Sequence, residues 1–118
     1  MTDDPFRLGV DLFNQGRYWD AHEAWEELWL PSVDPERQYL QGLIQLAAAY
    51  HHISRGTSPR GAVRLIDAAL RRLQPFPDRH RGLDRGGAVT VAAEHGRMLA
   101  EEKEILAEWY PKLHLDGD

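Results

Sequence analysis

Apolar residues recur along the chain at three- and four-residue spacing and no run alternates with a period of two, so the pattern predicts helices and no strands. Caps and breakers divide these helices. Asp4-Pro5 supplies an N-cap and a first-turn proline, and Gly16 ends the first helix in a left-handed cap. A second helix runs from about Tyr18 to Leu30, where Pro31 stops it. Asp34-Pro35 opens a long third helix closed by Gly56, and Ser58-Pro59 opens a fourth that ends before Pro75. Beyond a loop from Pro75 to Arg81, Asp84 caps a fifth helix running from the mid-eighties to Trp109, with Pro111 ending it. Gly86-Gly87 weakens its first turn.

The run Gln15-Gly16-Arg17-Tyr18 with Ala21 and Trp25 resembles a tetratricopeptide hairpin, in which a small residue lets two helices approach. Gly56 ends a helix about 40 residues after Gly16, but only the first hairpin carries the pattern, and an array needs about three copies. The expected fold is therefore all-α: one domain over residues 1–118, a compact bundle of about five helices built from helical hairpins, the first tetratricopeptide-like.

On the second helix, Leu28, Ala21, Trp25, Tyr18, Trp29 and His22 fall within a roughly 120° arc. Glu26 lies at the edge of that arc beside Trp19, while Asp20, Glu23 and Glu27 point away. His22 and Glu26 are one turn apart, so an imidazole–carboxylate hydrogen bond is within reach. Such a pair fixes a tautomer for general-base chemistry or supplies two metal ligands. The run His22-Glu23-Ala24-Trp25-Glu26 is close to the zinc motif H-E-x-x-H, but glutamate replaces the second histidine and Glu23 falls on the outer face.

The third helix is apolar over most of its circumference through Leu40, Leu43, Ile44, Leu46, Ala47 and Tyr50, which places it at the centre. Gln41, Gln45 and His52 nevertheless form a polar stripe, with Arg37 leading into it and His51 nearer the apolar arc. Buried polar groups must find partners. The stripe is therefore expected to face His22 and Glu26, giving a ligand-binding set of His22, Glu26, Trp29, Arg37, Gln41 and Gln45. No cofactor is required; the alternative is a divalent metal on His22, Glu26, His51 and His52, serving a hydrolase. His95, among Val91, Ala92, Leu99 and Leu106 of the fifth helix, reads as a core histidine.

Composition narrows the field. The 118 residues contain no cysteine, which excludes a disulfide scaffold, thiolate zinc and thiol catalysis. The longest nearly apolar run, Leu43 to Tyr50, is too short for a membrane span, and the acidic start Met-Thr-Asp-Asp is unlike a secretory signal, so a cytoplasmic protein is expected. The net charge of −5 argues against general nucleic-acid affinity. Charge is uneven: residues 1–36 hold nine acids against two arginines, and residues 55–85 hold eight arginines against three aspartates. The fourth-helix stripe Arg60, Arg64 and Arg71 is thus a second alternative, a phosphate or nucleic-acid surface. There is no glycine-rich phosphate loop and no serine set as a nucleophile. The partner expected is a small ligand or a protein; an exposed Trp19 or Trp109 is compatible with a homodimer.

Phe13-Asn14, Gly16, Tyr18 and Ala21-His22-Glu23-x-Trp25-Glu26-x-x-Trp29 are followed by Leu40-Gln41-Gly42-Leu43-Ile44-Gln45-Leu46-Ala47 and a histidine before Gly56. This succession resembles the domain-of-unknown-function family 309 over about residues 6–75, and Gly82-Leu83-Asp84 resembles the short link before that family's last helix. The resemblance implies a small all-α prokaryotic protein with no established activity. Its motif falls on His22, Glu23, Trp25, Glu26, Trp29, Gln41, Gly42 and either His51 or His52. Thr57 stands where the family often has asparagine.

Overall fold

Most of the expected caps form. A computed structural model describes residues 4–117, with α1 (Pro5–Asn14), α2 (Tyr18–Trp29), α3 (Glu36–Arg55), α4 (Pro59–Leu73) and α5 (Arg85–Ala100) in order. The Asp4 carboxylate accepts from the Phe6 N–H, Ser58 Oγ from Gly61 N–H and Asp84 from Gly87 N–H. Each satisfies a donor that a helix start leaves open. At the other end of α1, Gly16 N–H bonds to Phe13 O and Arg17 N–H to Leu12 O; α3 repeats the arrangement with Gly56 to Ile53 and Thr57 to His52. Gly16 and Gly56 have φ of 80° and 67°, the left-handed backbone this closure requires.

Three expectations are corrected. First, α5 stops at Ala100 rather than Trp109, because Glu102 adopts φ 61°, its N–H bonds to Leu99 O, and Lys103 N–H bonds to Met98 O. This is the same closure made without glycine, so nothing in the sequence marks it. Only a 3₁₀ turn, Ala107–Trp109, follows. Second, Asp34 does not cap α3: Pro35 stands at the N-cap with no side-chain cap bond, and the Asp34 carboxylate accepts from Gln38 Nε2 at 3.4 Å instead. Third, strands are present. β1 (Arg79–His80) and β2 (Leu83–Asp84) pair antiparallel around Arg81-Gly82, and Leu115 bridges to Leu83.

The tail thereby docks back on the bundle. Asn14 Nδ2 donates to Leu113 O at 2.8 Å while its Oδ1 accepts from Leu113 N–H at 2.7 Å, and Lys112 Nζ donates to Asn14 O at 2.6 Å. Leu113 and Leu115 are buried. The bonds replace partners that the end of α1 would otherwise find in water.

α3 sits at the centre as its apolar circumference requires: α2 and α4 pack on it, α1 covers α2, and α5 covers α4. Tyr39, Leu40, Leu43, Leu46, Ala47 and Tyr50 have no exposed surface. Trp25 of α2 is equally enclosed and its Nε1 donates to Phe6 O at 3.1 Å. The indole lies directly over Gly9, where a Cβ would come within 2.1 Å of Nε1. Gly42 plays the same part between α3 and α4, with Leu73 Cγ 2.7 Å from the position of a Cβ. Between α3 and α5, the Tyr50 hydroxyl and His95 Nδ1 meet at 2.6 Å in the core. Among the described residues no helix is long and apolar enough to cross a membrane.

Two outcomes follow from this packing. Trp25→Ala should lose about 3–5 kcal/mol of unfolding free energy, as the removal of core aromatics does, and Gly9→Ala about 1–3 kcal/mol through overpacking. Chemical denaturation measures both; an unchanged midpoint for Gly9→Ala would contradict the contact. The second concerns His95. Burial lowers its pKa from about 6.5, against a weaker raising effect of Glu94. Above that pH both folded and unfolded states hold a neutral ring. As pH falls through about 6.5 the unfolded chain takes up a proton that the folded one resists, so stability drops. Wild type should lose more stability between pH 7.5 and 5.5 than His95→Gln, and equal slopes in the two would mean the ring titrates freely when folded.

Candidate functional site

α2 distributes its side chains as the arc predicts. Tyr18, Ala21 and Trp25 are buried, Leu28 and Trp29 are half-buried, and Glu23 and Glu27 face water. His22 sits at the margin with 16% of its side chain exposed, and Glu26 just outside with 46%. Their closest polar atoms, Nδ1 and Oε1, are 3.5 Å apart. At this separation Nδ1 remains buried with no hydrogen-bond partner among the described residues. Such orphaned atoms cost about 1–3 kcal/mol and are uncommon in folded proteins. One turn earlier, Trp19 stacks flat on the His22 ring, with centroids 4.5 Å apart and planes at 10°. His51 of α3 completes the group from the other side, its ring 5.3 Å from that of Trp19.

The polar network expected between α2 and α3 does not form. Gln45 turns to α4, where its Oε1 accepts from Arg72 Nη1 at 3.2 Å, and Arg72 Nε donates to Gln38 at 3.1 Å. Gln41 is half-buried and makes no side-chain hydrogen bond among the described residues. His52 points to the end of its own helix, Nδ1 3.1 Å from Thr57 Oγ1. Thr57 thus occupies the closing turn through its hydroxyl. The stripe shares one face of α3, but the face meets α4. Among the described residues no group of three or more histidine or acidic side chains is placed to hold a metal ion.

Arg37 and Trp29 have a common task. Arg37 Nη1 donates to Trp29 O at 3.0 Å, Leu30 O at 3.3 Å and Ser32 O at 3.3 Å, and its guanidinium lies 3.8 Å over the Trp29 ring. The cation closes the carbonyl end of α2 and neutralises the negative end of its dipole.

What the chain does bring together is an open pocket of about 560 Å³ between the start of α2 and the end of α3. Its walls include Arg17, Trp19, Asp20, His51, Ser54 and Arg55. Arg17 is occupied by Asp20 at 2.8 Å, whereas Arg55 has no ion pair among the described residues. Burial, then repulsion from Arg55, His52 and His22, holds the His51 pKa below its usual value. Sequence reasoning passed over Ser54 and Arg55. The available signal was helical spacing: Arg55 is one turn beyond His51, as His22 is one turn beyond Trp19.

Elsewhere, Arg60, Arg64 and Arg71 are exposed on α4. Arg60 and Arg64 line a larger groove, about 990 Å³, whose opposite wall carries Glu102, Lys103 and Glu104. The acids offset the basic wall. Acidic and basic stretches also meet directly, since Glu36 pairs with His80 and with Arg81, the latter at 3.5 Å.

A sequence profile described as "Domain of unknown function (DUF309)" matches residues 6–65, from α1 into the first half of α4. A protein of Aquifex aeolicus (strain VF5), described only as an uncharacterized protein, is 32% identical over 75 residues. The aligned stretch is 63% of this chain and 22% of the relative, so the match spans about a fifth of that protein's length.

The clamp on α2 has a measurable worth. Arg37→Ala should lower stability by about 1–2 kcal/mol by freeing three carbonyls near a half-buried position. Arg37→Lys should recover less than half of this, because an ammonium cannot reproduce the stacked fork. Thermal melting of the two variants decides it, and equal melting would remove the clamp.

Proposed function

The chain belongs to the family of unknown function DUF309, and on that footing we propose that it is a non-catalytic binding module whose contact surface is the α2–α3 face around Trp19, His22, Glu26 and His51. The observation that carries this reading is the Trp19–His22 pair. A large ring left 47% exposed is stacked on an imidazole whose buried nitrogen has no hydrogen bond among the described residues. An exposed aromatic held rigidly at a surface offers contact area at little entropic cost to a partner. Every other large aromatic of α1 and α2 is turned inward or, like Trp29, covered by a neighbouring side chain.

Two features support binding over hydrolysis. His22 and Glu26 are too far apart for a tight hydrogen bond, and among the described residues no group of three or more histidine or acidic side chains is placed to hold a metal ion. The match to the family covers all the residues of this surface while leaving α5 and the tail outside it.

Two measurements test the proposal together. Protein purified without chelator should carry no stoichiometric transition metal by elemental analysis; one metal per chain, lost in His22→Ala, would establish the hydrolase alternative. Trp19→Ala should stay folded within about 1 kcal/mol of wild type, as surface substitutions do. A loss of 3 kcal/mol or more would make Trp19 a packing residue and end the reading.

A further inference from the structure

Resting on the binding-module reading, we propose that the pocket between Gly16 and Arg55 takes a small planar organic anion, a ring bearing a carboxylate or phosphate. Arg55 would hold the oxyanion and the exposed part of Trp19 would hold the ring. A volume of about 560 Å³ falls in the range of small-ligand pockets. The pocket lining is chemically mixed. It offers indole surface, fixed in orientation by the stack on His22, with the His51 ring 5.3 Å from it. It also carries the Arg55 guanidinium and the Ser54 hydroxyl.

The charge arrangement selects the ligand. Arg17 and Asp20 neutralise each other, and Glu26 stands beside His22 outside the pocket lining. Arg55 is thus the lining's uncompensated charge among the described residues. A guanidinium in this position offers a planar fork suited to carboxylate or phosphate oxygens. Ser54 Oγ now donates to His51 O at 3.0 Å, a bond within its own helix turn that it can exchange for a ligand oxygen. The indole adds a stacking surface for a flat group, and that distinguishes this pocket from the arginine-bearing groove on α4, whose lining has no aromatic ring.

The test is a titration of the full chain followed by ¹H–¹⁵N correlation spectra, with phenyl phosphate, benzoate, inorganic phosphate and benzyl alcohol as probes. The Trp19 indole and the Ser54 and Arg55 amides should shift saturably. Phenyl phosphate or benzoate should bind about ten-fold more tightly than either inorganic phosphate, which lacks the ring, or benzyl alcohol, which lacks the charge. The order of phenyl phosphate and benzoate distinguishes a phosphate ligand from a carboxylate one. Arg55→Gln should weaken the preferred anion about ten-fold, and Trp19→Ala should reduce it to the level of inorganic phosphate. Both positions are exposed, so folding is preserved.

Benzyl alcohol binding as well as the anions would overturn the anion assignment and leave the binding surface standing. Shifts centred on Arg60, Arg64 and Arg71, or none at Trp19 with any probe, would overturn the pocket itself. The metal and stability measurements then still judge the wider reading on their own.

Discussion

Trp25 can reach the core only because position 9 has no side chain. Its indole occupies the space a Cβ would need, and its Nε1 is satisfied by Phe6 O. That one fit sets how α1 lies on α2, and much follows from it. Phe13 meets Tyr18 and Tyr50 at 4.9 and 5.9 Å, carrying the aromatic packing on into α3. With Trp25 turned inward, helical geometry puts His22 at the boundary and Trp19 beyond it. The orientation of the candidate site is thus a by-product of how the first hairpin closes.

α3 has polar side chains on two flanks, and the flanks differ in how well they are satisfied. Toward α4, Gln38 and Gln45 share Arg72, so these polar groups fasten one helix to the next. Toward α2, His22 Nδ1 lacks a hydrogen bond and Arg55 lacks an ion pair among the described residues. Satisfied polar groups specify packing, whereas unsatisfied ones at a surface are what a ligand can complete. By this criterion Gln45 is a structural residue, whereas Arg55 is available to a ligand.

Helix boundaries were legible wherever a cap is local: Asp4, Ser58 and Asp84 with their amides, Gly16 and Gly56 with their left-handed backbone. The inward arc of α2 was legible for the same reason, being set by periodicity alone. The end of α5 was not, because Glu102 does what glycine usually does. Nor was the fate of Gln45. A helical wheel shows which residues share a face of α3, but not whether that face meets α2 or α4. The strand pairs and the Asn14–Leu113 bonds were invisible because they join residues far apart in the chain. The meeting of His80 with Glu36, and its packing against Tyr39 and Phe76, is equally non-local.

The Asn14–Leu113 junction also has a consequence in time. Those two residues are separated by 99 positions, so the first hairpin emerges from a ribosome long before its brace is made. Until then the carboxyl end of α1 must rely on its glycine turn and on water. The final seating of the nascent fold is therefore postponed until residues 112–116 have cleared the exit tunnel.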